Sequence, residues 1–165
     1  MRTTFLLSAL LVLASSSLSV AGADTVAVQQ RGRELLFQSG CHDCHTPGFA
    51  MNGGQAPESA WLIGDQLGWN GPWGTSYATN LRLRLNTLSR DEWRAYARVM
   101  KARPPMPYWV LNRMSDADLD AIWLAVQALG KAGEPAPAAL PPGVEPAGPA
   151  VRFPSPPPAV ANAGR

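Results

Sequence analysis

The chain has 165 residues and a nearly balanced charge, 14 Lys and Arg against 12 Asp and Glu, for a formal net charge of +2. That length suits one ordinary domain with a targeting segment or a tail. The positive residues are scattered singly among apolar ones rather than gathered in a stripe, which argues against nucleic acid as a partner. Two cysteines in one five-residue stretch cannot make the multi-bridge framework of a small secreted scaffold.

In chain order, Met1 to Ala23 carries Arg2, a run from Phe5 to Ala14 that is apolar except for Ser8, and small residues ending in Ala21-Gly22-Ala23. This pattern predicts a secretory signal over 1–23 with cleavage before Asp24. The apolar run gives way to Ser15-Ser16-Ser17 before reaching the ~20 residues of a membrane span, so an uncleaved anchor is the weaker alternative. Removing Arg2 leaves 13 positive against 12 negative side chains, about +1. The expected location is periplasmic or otherwise exported.

Thr25 to Ser39 reads as a helix, with Val28, Leu35 and Leu36 apolar among Gln29, Gln30, Arg31, Arg33 and Glu34, and Gly40 placed to end it. Gly32 weakens this helix unless something packs closely against it. The motif Cys41-His42-Asp43-Cys44-His45 follows at once. Thr46 to Asn86 is rich in Gly, Pro and Asn and reads as a long loop carrying Trp61, Trp69, Trp73 and Tyr77. So many aromatic residues in one loop suggest a cover for a large flat apolar object, or else filler between helices.

Ser89-Arg90-Asp91-Glu92 is a capping box, and Trp93, Tyr96, Ala97 and Met100 recur at helical spacing until Pro104. A second capped helix starts at Ser115, with Asp116 and Asp118 in its first turn, Leu119, Ile122, Trp123, Val126 and Leu129 on one face, and Gly130 at its end. The expected fold class is all-α, a single domain over 24–130. Of the 35 residues over 131–165, ten are proline, which predicts a tail without helix or sheet. Leu140, Val144, Val151 and Phe153 could dock it as an extended strap, whereas Pro154 to Arg165 reads as disordered.

Two thiols separated by two residues, with His following the second, can add to two vinyl groups on one edge of a haem while the imidazole reaches the iron. Zinc would need a fourth ligand beyond Cys41, Cys44 and His45, and the chain has only one other histidine and no second cysteine pair. A thioredoxin-like redox pair would need a βαβ setting that the sequence does not offer. A covalent haem in turn calls for a second axial ligand, usually Met. Met106 lies in Arg103-Pro104-Pro105-Met106-Pro107, whose prolines restrict the backbone on both sides and so fix the thioether at small entropic cost. Met100, on a helix face, and Met114, just before the last helix, read as packing; Met51 is too close to His45 to cross the ring.

The order helix, CxxCH, aromatic loop, helix, Pro-Pro-Met-Pro and final amphipathic helix resembles a monohaem bacterial cytochrome c domain of the class I fold, over about 24–130. The resemblance implies one covalent haem c bound through Cys41 and Cys44, with His45 and Met106 as the axial ligands. It implies an electron carrier rather than an enzyme, relaying single electrons from an exported or membrane dehydrogenase to an oxidase or cytochrome acceptor. Tyr77-Ala78-Thr79-Asn80-Leu81 also resembles a segment of cytochrome subunits that accompany bacterial dehydrogenases, although Arg82-Leu83-Arg84-Leu85 follows where such relatives often carry an acidic, threonine-rich stretch.

Haem propionates want cationic or hydrogen-bonding partners. Of Arg82, Arg84, Trp73, Tyr77 and Asn80, the reading favours Arg82 and Trp73, with solvated arginines and a core tryptophan as the alternative. His42 and Asp43 read as surface residues. Gly32 and Phe37 on the first helix and Trp123 on the last are the expected contacts between those helices. The competing function is a haem enzyme or sensor with an open distal site, which would need an acid–base group that the chain does not obviously supply. A docking subunit of a membrane complex, anchored by the tail, is compatible with the carrier.

Overall fold

The computed structural model describes residues 22–154. The expected export signal, apart from its last two residues, and the expected disordered stretch beyond Pro154 lie outside them. Helix α1 covers 22–38, and Gly40, in the left-handed region at φ 69°, turns the chain into α2 (Cys41–His45). After short 3₁₀ turns at Ala50–Asn52 and Glu58–Ala60 come strands β1 (Gly68–Gly71) and β2 (Gly74–Tyr77). Then follow α3 (Leu81–Leu85), α4 (Arg90–Val99), α5 (Tyr108–Arg113), α6 (Asp116–Leu129) and β3 (Ala150–Arg152). No helix among the described residues is long and apolar enough to cross a membrane.

The predicted caps are present. Ser89 and Glu92 exchange the two hydrogen bonds of a capping box at the start of α4, and the Ser115 side chain accepts from the Asp118 N–H at the start of α6. The core joins Leu35 and Leu36 of α1, Leu85 of α3, Trp93 and Ala97 of α4, and Leu119, Ile122, Ala125 and Val126 of α6, all buried. Gly32 lets α1 approach α6 closely: a Cβ there would lie 1.9 Å from the Ala121 carbonyl oxygen. Of the other two expected contacts, Phe37 packs instead on His42, and Trp123 donates to the Leu88 carbonyl beneath Arg90. The interhelix contact is made by small residues, because bulky ones would hold the backbones apart.

Helices dominate, but a three-stranded sheet of order β2-β1-β3 makes the fold mixed rather than all-α. β1 and β2 form a hairpin with Trp69 opposite Ser76, closed through Gly74 at φ 95°. β3, from the tail, pairs parallel with β1, Trp69 opposite Val151. The prolines do not prevent this. The strand contains none, and the carbonyl of Pro149 still accepts the Gly68 N–H at 2.9 Å. Nor is 46–86 one loop, since it holds both 3₁₀ turns, the hairpin and α3. The tail before Pro154 is thus an ordered strap.

Candidate functional site

Helical spacing puts Cys41, Cys44 and His45 of α2 on one face, at i, i+3 and i+4, and all three line a single cavity of about 540 Å³. Its walls are mostly apolar and aromatic: Leu36, Leu85, Trp93 and Ile122 from the core, Trp69 and Tyr77 from the hairpin, and Tyr96 from α4. Met106 lines the same cavity from the proline loop. The volume falls within the range of ordinary ligand sites.

His45 is 8% exposed, and its Nδ1 lies 2.7 Å from the Thr79 carbonyl oxygen. A carbonyl can only accept, so Nδ1 carries the proton and Nε2 is left with its lone pair free to bind a metal. Burial lowers the His45 pKa, partly opposed by that hydrogen bond, and favours the neutral ligating form. The Thr79 carbonyl is itself held in place: Gly64, at φ 82°, packs so tightly on this segment that a Cβ would lie 2.8 Å from the Ala78 oxygen, and its N–H donates to the His45 carbonyl at 2.9 Å.

Both cysteines are free. Burial, reinforced by Asp43, pushes the Cys41 thiol up to about 12, and burial followed by Asp43 raises Cys44 as well. Both sulfurs are therefore neutral thiols near neutral pH.

The other face of α2 carries His42. It is fully buried rather than at the surface, because the chain after Thr46 wraps over it and encloses it with Phe37, Phe49 and Trp61, whose ring centroids lie 4.4, 5.0 and 4.9 Å away. Its Nδ1 lies 2.9 Å from Thr46 Oγ1, and its Nε2 has no partner among the described residues. Burial pulls its pKa down to about 4. Asp43 is exposed, as expected.

Neither expected propionate partner reaches the cavity. Arg82 is buried elsewhere: its Nε donates to the Gly130 carbonyl at 2.6 Å, Nη1 to Ser59 at 3.3 Å, and Nη2 to Leu129. It caps the C-terminal end of α6, where unpaired carbonyls and the negative end of the helix dipole attract a cation. Trp73 stands at the hairpin tip against Phe153, centroids 5.2 Å apart, with its buried Nε1 unpartnered among the described residues. The cations that do line the cavity are Arg84, Lys101 and Arg103. Arg84 is among the candidates that the sequence offers for this role; Lys101 and Arg103, at the entry to the proline loop, are not.

Among the other methionines, Met51 is 86% exposed and Met114 packs against the core. Met100, at the C-terminal cap of α4, also lines the cavity, beyond the packing role expected of it. No family of known proteins, no curated protein and no solved structure matches this chain, so the site speaks through its own geometry.

Proposed function

We propose that this chain is an exported one-electron carrier of the class I cytochrome c kind. One haem would be attached through Cys41 and Cys44, with its iron ligated by His45 and Met106. The observation that carries this reading is the convergence of Met106 with Cys41, Cys44 and His45, distant from it in sequence, on one largely apolar cavity. The donor set suits the group: two neutral thiols on the same face of α2, an imidazole with its Nε2 lone pair free, and a thioether from a separate loop. Such a group supplies a ferrous–ferric couple when bound, its potential raised by Met ligation.

The chain's own residues do the rest. Thr79 fixes the tautomer and orientation of His45, and α2 sets the thiols and the imidazole in register. The apolar walls exclude water, and Arg84 and Lys101 offer charge for the propionates, whereas Arg103 is tied to the Leu140 carbonyl. His42, the only other histidine, is packed behind α2 and cannot serve as an acid–base group in the cavity. That favours the carrier over an enzyme or sensor with an open distal site. Redox proteins are the fitting partners, a dehydrogenase as donor and an oxidase or cytochrome as acceptor.

Visible spectroscopy of Met106→Ala, Met100→Ala and Met114→Ala tests the ligand assignment. Met106→Ala is expected to keep covalent haem, lose the weak far-red band of a methionine–iron bond in the oxidised protein, and bind carbon monoxide when reduced. The other two are expected to keep the band. Loss of the band in Met100→Ala instead would transfer the ligand role to α4.

A further inference from the structure

The strap after α6 touches the supports of both Met106 and His45. On the Met106 side, Leu140 exchanges two backbone hydrogen bonds with Thr75, at 2.9 and 3.1 Å, and its carbonyl also accepts from Arg103 Nη1 at 3.0 Å. Arg103 opens the loop that carries Met106, and its carbonyl accepts the Met106 N–H at 3.3 Å. Ser76, beside Thr75, donates through Oγ to the Pro104 carbonyl at 3.0 Å. The approach is close enough to require glycine: a Cβ on Gly74 would lie 2.1 Å from the Leu140 oxygen. On the His45 side, Asn80 Nδ2 donates to the Ala132 and Glu134 carbonyls at 2.8 and 3.2 Å, one residue from the carbonyl that orients His45.

We propose that the 132–140 segment is a positioning strap, which through Leu140 and Arg103 holds the methionine loop against the cavity and keeps the distal side closed. The inference rests on the ligand reading above. The Met106 loop has no helix or strand of its own, so its position depends on such ties to neighbouring elements. Undocking Leu140 removes the acceptor of Arg103 and the partner of Thr75 together. Arg103 and Leu140 thus act through Met106, as positioning residues.

The test uses the full-length haem-loaded protein and titrates the oxidised form with imidazole, which competes for the iron only when the methionine is displaced. Its apparent affinity therefore reports the open fraction. Arg103→Ala and Leu140→Pro, the latter lacking the N–H that bonds Thr75, are expected to bind imidazole about tenfold more tightly, with covalent haem content unchanged. Arg103→Lys, which keeps a donor, is expected to recover part of the difference. Arg31→Ala, which breaks the exposed ion pair of α1 with Asp118, is the control and is expected to keep wild-type affinity. Wild-type affinity in both Arg103→Ala and Leu140→Pro overturns the strap while leaving the ligand reading intact. Should Leu140→Pro fail to incorporate haem, the exposed Arg103 decides alone. A wild-type protein without the far-red band, binding imidazole without competition, overturns the ligand reading and the strap with it.

Discussion

Arg82 buries a guanidinium under the carbonyls of Ser59, Leu129 and Gly130, and truncating it would strand those acceptors at the end of α6. Arg82→Ala is expected to cost about 2–3 kcal/mol in chemical denaturation and to leave the reduction potential unchanged. Arg84→Ala is expected to do the reverse, with little loss of stability and a shifted potential. In an extended segment Arg82 and Arg84 would share a face. Asn80, whose side chain accepts the Leu83 N–H, caps a short helix instead. Leu81, Arg84 and Leu85 then face the cavity, and Arg82 turns away. A five-residue helix has too little periodicity to announce itself, and the cap was its one local signal.

His42 gives the second residue-scale prediction. Its pKa is depressed in the folded protein to about 4 from 6.5, so between those values the unfolded chain binds the extra proton. Its share of stability is complete above pH 6.5 and is lost as pH falls toward 4, on the order of 3 kcal/mol in all. Thermal melts of wild type and His42→Phe over this window are expected to diverge, with the variant losing less stability on acidification. Parallel curves would mean that the buried ring does not control that window.

At the scale of elements, the α1–α6 crossing depends on a missing side chain. Alanine at Gly32 would gain about 1 kcal/mol of helix propensity, but its Cβ would collide with the α6 backbone at Ala121. Overpacking of that kind costs about 3 kcal/mol and wins. Gly32→Ala is expected to lower the denaturation midpoint despite being a better helix former; a rise would show that the helices can part without loss. The capped starts of α4 and α6 were readable, because each is set by residues within a few positions of one another; Gly32 was readable only as a weak point that calls for a close neighbour, which is Ala121. The sheet was not. β1 is Gly-Trp-Asn-Gly, β3 is three residues in a proline-rich tail, and their pairing is decided by tertiary contacts.

For the whole molecule, the cavity and the core share walls: Leu36, Leu85, Trp93 and Ile122 belong to both. A bound group of matching shape therefore stabilises the fold, since it binds the native chain and not the unfolded one. The double variant Cys41→Ser/Cys44→Ser, purified without covalent haem, is expected to melt roughly 10 °C or more below wild type by circular dichroism. Equal melting temperatures would mean that the helical framework stands without its occupant.

The parallel pairing of β3 with β1 bears on the order of events in time. Gly68 meets Ala150 only after the intervening chain has been made, and closing so long a loop is slow compared with forming the hairpin or the helices. In a chain that emerges from its N-terminus, α2 and the walls around it exist before the strand that completes the sheet. On the proposed haem reading, the thiols of Cys41 and Cys44 would meet the attachment chemistry before the same chain closes the hairpin side.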